Sequence, residues 1–137
     1  MLPTGGGTKT VSVWYRDAWG NQTPAETPFT GTILLDTAVP TNGTVSGAVW
    51  DRQIALSWAG YDDGAGGSGI EKYTVVYKIG SVPSSCTAGT VLYTGPDTMY
   101  DHTGLTNGTL YSYRVCAVDV AGNMSTGAVW SGKPAAP

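Results

Sequence analysis

The residues of this chain that could do chemistry are few and widely spaced. The loop Asp62-Asp63-Gly-Ala-Gly-Gly-Ser68-Gly69 sets two carboxylates beside a run of glycines, and a third, Asp119, opens the turn Asp119-Val-Ala-Gly-Asn123. Carboxylates are hard oxygen ligands, so Asp62, Asp63 and Asp119 are candidate calcium ligands if folding brings them together. The same residues have a simpler use, because Asp at the head of a turn bonds its own backbone a few residues on. Cys86 and Cys116 are the only cysteines, and His102 is the only histidine, with no second ligand at a usable spacing. Gly64-x-Gly66-x-x-Gly69 matches the dinucleotide fingerprint in form alone. A strand pattern follows it where a helix must begin to hold the pyrophosphate. No nucleophile elbow, Cys-x-x-Cys pair or His-Glu-x-x-His helix is present, and paired carboxylates for glycoside hydrolysis would need a cleft. The expectation is a protein that is not an enzyme, with calcium as the one cofactor to consider.

Composition narrows the class further. At 137 residues one domain is the starting assumption. A net charge of −3, with Lys and Arg scattered singly, leaves no basic stripe to neutralise phosphates, which argues against nucleic acid or anionic lipid as partner. Twenty Gly, 19 Thr and 8 Pro point to short strands and turns, while five Trp and eight Tyr supply a core. No apolar run approaches membrane-spanning length. The opening Met1-Leu-Pro-Thr-Gly-Gly-Gly lacks the basic start and apolar centre of a leader peptide.

The elements that must position these residues are strands. Two stretches share one pattern: Val13-Trp-Tyr-Arg-Asp17-Ala-Trp-Gly-Asn21 and Val115-Cys-Ala-Val-Asp119-Val-Ala-Gly-Asn123, each followed by Thr23 or Ser125. Their offset of 102 residues is about one sandwich domain plus linker, so the chain reads as a cut from a tandem array. Residues 8–15 and 32–35 are expected to form a hairpin with the long connection 22–30, and residues 36–43 an extended, proline-set linker. Further strands follow at 44–50, 53–59, 71–79, 90–94, 98–103, 110–119 and around 127–133. Alternation puts Ile54, Leu56 and Trp58 on one face of their strand, and Tyr111, Tyr113, Val115 and Ala117 on one face of theirs. Trp14, Trp19, Trp50 and Trp130 fall outside this core set.

Trp58 at the end of its strand, Tyr73-Thr-Val75-Val-Tyr77, and Leu105-Thr-Asn-Gly108-Thr-Leu-Tyr111 together resemble a fibronectin type III domain over about residues 41–135. The resemblance implies a seven-stranded antiparallel β-sandwich over 44–137, with Trp58 in the core and Tyr111 making a corner bond to upstream backbone. The family usually has proline where this chain has Asn107, and Asn tolerates the turn. Residues 1–37 resemble the terminal hairpin of a related immunoglobulin-like module, with 38–43 as linker. The Asp-x-x-Gly-Asn turns resemble modules strung together in large bacterial surface and secreted proteins. In that fold the strands before Cys86 and around Cys116 are neighbours, and parity puts Cys116 on the face away from the core. A Cys86–Cys116 disulfide is then reasonable, against two free thiols in a reducing compartment. The acidic loop, the Asp119 turn and the incoming linker also share a pole in that fold.

The family implies no catalytic residue, so function is expected to be mechanical: an extracellular, cell-surface spacer or adhesion module whose partners are neighbouring modules. The rival is a polysaccharide- or protein-binding module, using Trp19 and Trp130 as stacking platforms, or an accessory module of a secreted hydrolase. A lone hairpin presenting Val11, Val13, Tyr15, Ile33 and Leu35 needs cover, either by packing on the neighbouring sandwich or, as the short linker favours, by pairing with a second copy of the chain as a homodimer. Four Asn-x-Thr/Ser sequons, at Asn21, Asn42, Asn107 and Asn123, each coincide with a turn, which accounts for them without glycans.

Overall fold

The computed structural model describes residues 5–24 and 28–137. Its described elements are all strands: β1 (Gly7–Val13), β2 (Phe29–Leu35), β3 (Thr44–Trp50), β4 (Gln53–Ala59), β5 (Ile70–Ile79), β6 (Thr90–Gly95), β7 (Met99–Thr103), β8 (Tyr111–Asp119) and β9 (Ala128–Gly132). They fall into two compact units, Met1–Thr37 and Ala38–Pro137.

The first unit is the antiparallel hairpin β1–β2, in register from Gly7↔Leu35 to Val13↔Phe29. Strand β2 starts at Phe29, before the expected Thr32, because Phe29-Thr-Gly extends the ladder against Val11, Ser12 and Val13. The expected connection, residues 22–30, runs through positions 25–27, which lie outside the described residues. Val11, Val13, Tyr15, Phe29 and Ile33 are all exposed large hydrophobics.

The second unit packs the three-stranded sheet β3-β4-β7 on the four-stranded sheet β6-β5-β8-β9, all pairings antiparallel. This is the expected seven-stranded sandwich. Inward alternation in β4 buries Ile54, Leu56 and Trp58, and in β8 it buries Tyr111, Tyr113 and Val115 between the sheets. The Trp58 ring lies edge-on to Tyr73, with centroids 5.9 Å apart, and against Tyr93. Edge-to-face pairs of this kind add to what their buried area contributes. The corner tyrosine is in place, its hydroxyl accepting from the Thr106 N–H at 3.1 Å.

Two features depart from simple alternation. Strand β8 is buried on both faces, so Ser112, Cys116 and Val118, expected on an outer surface, are covered. Over Arg114 and Cys116 the cover is the segment following β5, while Ser112 bonds Ser131 of β9. Pro83 in that segment is fully buried, its carbonyl takes the Arg114 Nε–H at 2.8 Å, and Cys86 is disulfide-bonded to Cys116. The second departure is Trp130, expected outside the core. Its ring is half-buried, stacked at a tilt on Tyr113 (6.2 Å) and laid over the bare backbone of Gly47 and Gly132. A Cβ at Gly47 would come within 2.6 Å of that ring, so only glycine leaves room for the tryptophan that closes the β3–β9 side of the sandwich.

Asn107 does what a proline could not. Its Oδ1 accepts from the Arg52 N–H at 2.8 Å and its Nδ2 donates to Asp51 Oδ1 at 2.6 Å. Arg52 is the one described non-glycine residue with positive φ, at 56°. Side chains seldom adopt that conformation, so the turn between β3 and β4 needs an outside hold. Asn107→Pro, although it restores the family residue, should lower stability by about 1 kcal/mol. Two bonds are lost, and the stiffer backbone offsets only part of their contribution; urea denaturation reads this directly. Reducing Cys86–Cys116 reopens a loop of sequence separation 30 and should cost about 3–4 kcal/mol in the chain-entropy picture, seen as a fall in Tm in dithiothreitol.

Candidate functional site

The two repeated turns are closed by the same bonds. In the first unit the Asp17 N–H donates to the Asn21 carbonyl, Asp17 Oδ1 accepts from the Asn21 N–H at 2.8 Å, and Asp17 Oδ2 accepts from Asn21 Nδ2 at 2.8 Å. In the second, Asp119 and Asn123 repeat all three contacts, with the carboxylate bonds at 2.7 and 2.8 Å. The following hydroxyl residue completes each motif. Thr23 Oγ1 accepts from Tyr15 N–H while its own N–H donates to the Tyr15 carbonyl, and Ser125 and Ala117 do the same. Turn capping therefore accounts for Asp17 and Asp119 in both copies. The Asn21 side-chain amide, then its backbone N–H, hold the exposed Asp17 carboxyl below its ordinary range.

Around Asp119 the acidic loop folds back as expected. Val120 N–H donates to the Gly69 carbonyl, Ala121 N–H to Ser68 Oγ, and Thr41 pairs with Asp62. The three sequence candidates then separate. Asp62 is exposed and caps Gly64 N–H at 3.0 Å. Asp63 and Asp119 are buried, and a carboxylate oxygen of one lies within 4.8 Å of a carboxylate oxygen of the other.

All four sequon asparagines use their side-chain amide inside the fold. Nδ2 donates to Asp17 from Asn21, to Thr126 from Asn42, to Asp51 from Asn107 and to Asp119 from Asn123. Asn42 and Asn107 also accept backbone N–H bonds through Oδ1. Composition gave no hint of these clamps, because each joins residues more than 50 positions apart. The same holds for Tyr61, whose hydroxyl donates to the Val115 carbonyl at 2.6 Å and whose pKa burial pushes up to about 12.

Of the two candidate platforms, Trp19 is 90% exposed at the tip of its turn. Trp130 has one face occupied by Gly47 and by its place beside Tyr113, so it is a packing residue first. Trp50 is 60% exposed and borders a depression with Asp51 and the 135–137 tail. The depression beside the disulfide is lined by Ser85, Thr87, Arg114, Met124 and Thr126 and contains no carboxylate. Neither of these two depressions is lined by a pair of carboxylate side chains.

Sheet order, corner tyrosine and core tryptophan define a fibronectin-type sandwich. The chain belongs to the fibronectin type III family: the family's domain model, Fibronectin type III domain, matches residues 38–131. It is similar to Exoglucanase A of Cellulomonas fimi, with 37% identity over 121 residues, covering 83% of this chain and 13% of that protein. It is also similar to Chitinase Chi52 of Paenibacillus xylanexedens, 35% identical over 92 residues, covering 66% of this chain and 15% of that one. The chain thus spans a small part of the curated relatives it matches. Among solved structures, the rat CD45 extracellular region, domains d3-d4, superposes with a TM-score of 0.61 over 97% of this chain and 67% of that one, at 10% identity. Chicken CNTN1 FN1-FN3 domains give a TM-score of 0.58 over 95% of this chain and 42% of that one, at 18% identity. At such identities the likeness is one of fold.

His102 packs against core tyrosines. Its Nδ1 lies 3.0 Å from the Tyr113 hydroxyl, and its ring is edge-on to Tyr77 at 4.7 Å. Burial lowers its pKa below the ordinary 6.5, so the unfolded chain binds the proton more readily than the folded one. The stability this contributes is present above about pH 6.5 and lost as pH falls through 6.5 toward the lower folded value. Tm should therefore drop between about pH 7.5 and 5.5 in the native chain, and this drop should vanish in His102→Gln, the sole histidine having gone.

Proposed function

We propose that this chain is a non-catalytic accessory module of a secreted bacterial polysaccharide hydrolase, acting as a spacer that holds other parts of that enzyme at a set distance. The observation that supports this most is the reach of the similarity to Exoglucanase A. It covers 83% of the chain, more than residues 38–137 can supply, so it runs across both units rather than stopping at the sandwich. A stretch shared with an exoglucanase in that form is suited to spacing other parts of such an enzyme. The internal use of polar groups fits a spacer as well: the turns, clamps and corner bond spend their side chains on the fold itself. The Cys86–Cys116 disulfide suits the oxidising surroundings of a secreted protein.

A second reading draws support from one observation, the exposure of Trp19 in a unit whose Tyr15 and Phe29 are exposed as well. Flat aromatic faces in water can stack on sugar rings, which would make the hairpin a polysaccharide contact and not only a joint. The two readings separate in a pull-down on microcrystalline cellulose and on chitin at low and high salt. The spacer reading expects no retention above that of an inert protein on either polymer. Salt-resistant retention that Trp19→Ala abolishes would replace it with the binding reading.

A further inference from the structure

We propose that Asp63 and Asp119 bind a calcium ion at the acidic end of the second unit. The proposal starts from an atom that turn chemistry leaves unexplained. Asp63 is only 9% exposed, and its Oδ2 accepts the Gly69 N–H at 2.6 Å, yet its Oδ1 is buried without a hydrogen-bond partner. A buried carboxylate oxygen in that state has lost its water and gained nothing. Asp119 beside it is completely buried. Its two oxygens each accept one bond from Asn123, and a carboxylate has about four acceptor positions, so both retain capacity to ligate.

Like charges so placed repel, and no lysine or arginine compensates them. Among the described residues the ion pair is Lys72–Glu71, which involves neither carboxylate. Burying two anions together is costly unless a cation or protons accompany them. A shared ion fits the geometry. Calcium–oxygen distances of about 2.3–2.6 Å place two ligands of one ion up to about 5 Å apart, and the carboxylate oxygens of Asp63 and Asp119 lie within 4.8 Å. Calcium accepts irregular oxygen shells completed by water. With two fixed carboxylates the site belongs with the weak sites of extracellular modules, whose Kd is about 0.1–1 mM.

The chain carries its own control. Asp17 makes the same turn bonds as Asp119 but is exposed, and among the described residues it belongs to no cluster of carboxylates. If the Asp-x-x-Gly-Asn turn alone drew calcium, Asp17 would serve as well as Asp119. The proposal rests on the Asp63–Asp119 pair and is independent of the accessory-module reading.

The test uses the whole chain, stripped with EDTA and then brought to 10 mM calcium chloride, with sodium chloride at equal ionic strength as the reference. Tm should rise by about 5 °C at roughly ten times Kd, and equilibrium dialysis should retain about one calcium per chain. Asp63→Asn keeps an acceptor for Gly69 N–H and removes one charge. It should lose the calcium response and, in EDTA, melt at or above the native chain because the repulsion is relieved. Asp17→Asn should keep the full response. An unmoved Tm with no retained calcium in the native chain would overturn the proposal, as would an undiminished response in Asp63→Asn.

Discussion

The second unit depends on strand β8 being buried on both faces. One face supplies Tyr111, Tyr113 and Val115 to the space between the sheets. The other is closed by the segment around Pro83, which Arg114 holds through a backbone carbonyl and Cys86 holds through its bond to Cys116. A central strand covered on both sides cannot shift register without moving every side chain to the wrong environment. Its neighbours β5 and β9 inherit that register, and so does the Asp119 turn at its end. The disulfide therefore fastens a third layer over the sheet in addition to joining two distant residues.

The repeated turn separates local chemistry from context. Asp17 and Asp119 make the same bonds to the asparagine four residues on, yet one is exposed and the other has no exposure at all. The motif guarantees the turn and nothing about its surroundings. The acidic loop supplies those for Asp119 by folding back through Gly69 and Ser68. Identical sequence signals at the two ends of the repeat thus lead to an ordinary surface turn in one place and a pair of buried carboxylates in the other.

The chain's polar side chains are spent on turns, corners and clamps, and its aromatic rings are mostly stacked on one another across the sandwich, from Tyr61 through Tyr73 and Trp58 to Tyr93 and Tyr100. The exposed aromatic exceptions include Trp19 and Trp50, one on the hairpin and one beside the 135–137 tail.

Most strands were legible in the sequence because alternation and turn residues are local signals. Those of β3 and β4 match residue for residue, and Trp58 and Tyr111 take the places their motifs imply. The turn bonds of Asp17 and Asp119 were legible for the same reason, being complete within a few residues. What alternation could not reveal was anything requiring a third layer or a distant partner. Cys116 looked solvent-facing until Cys86, beyond the Pro83 segment, was bonded to it, and Trp130 looked free until a glycine on β3 made room for it. Asn107 looked like a tolerated substitute, and only the fold brings it to the Arg52 turn 55 positions away. In the acidic set, sequence supplied three carboxylates and the tertiary structure chose two. Burial and distance are properties of the packed chain, and Asp62 and Asp63, adjacent in sequence, point to opposite fates because neighbouring residues of an extended segment face opposite sides.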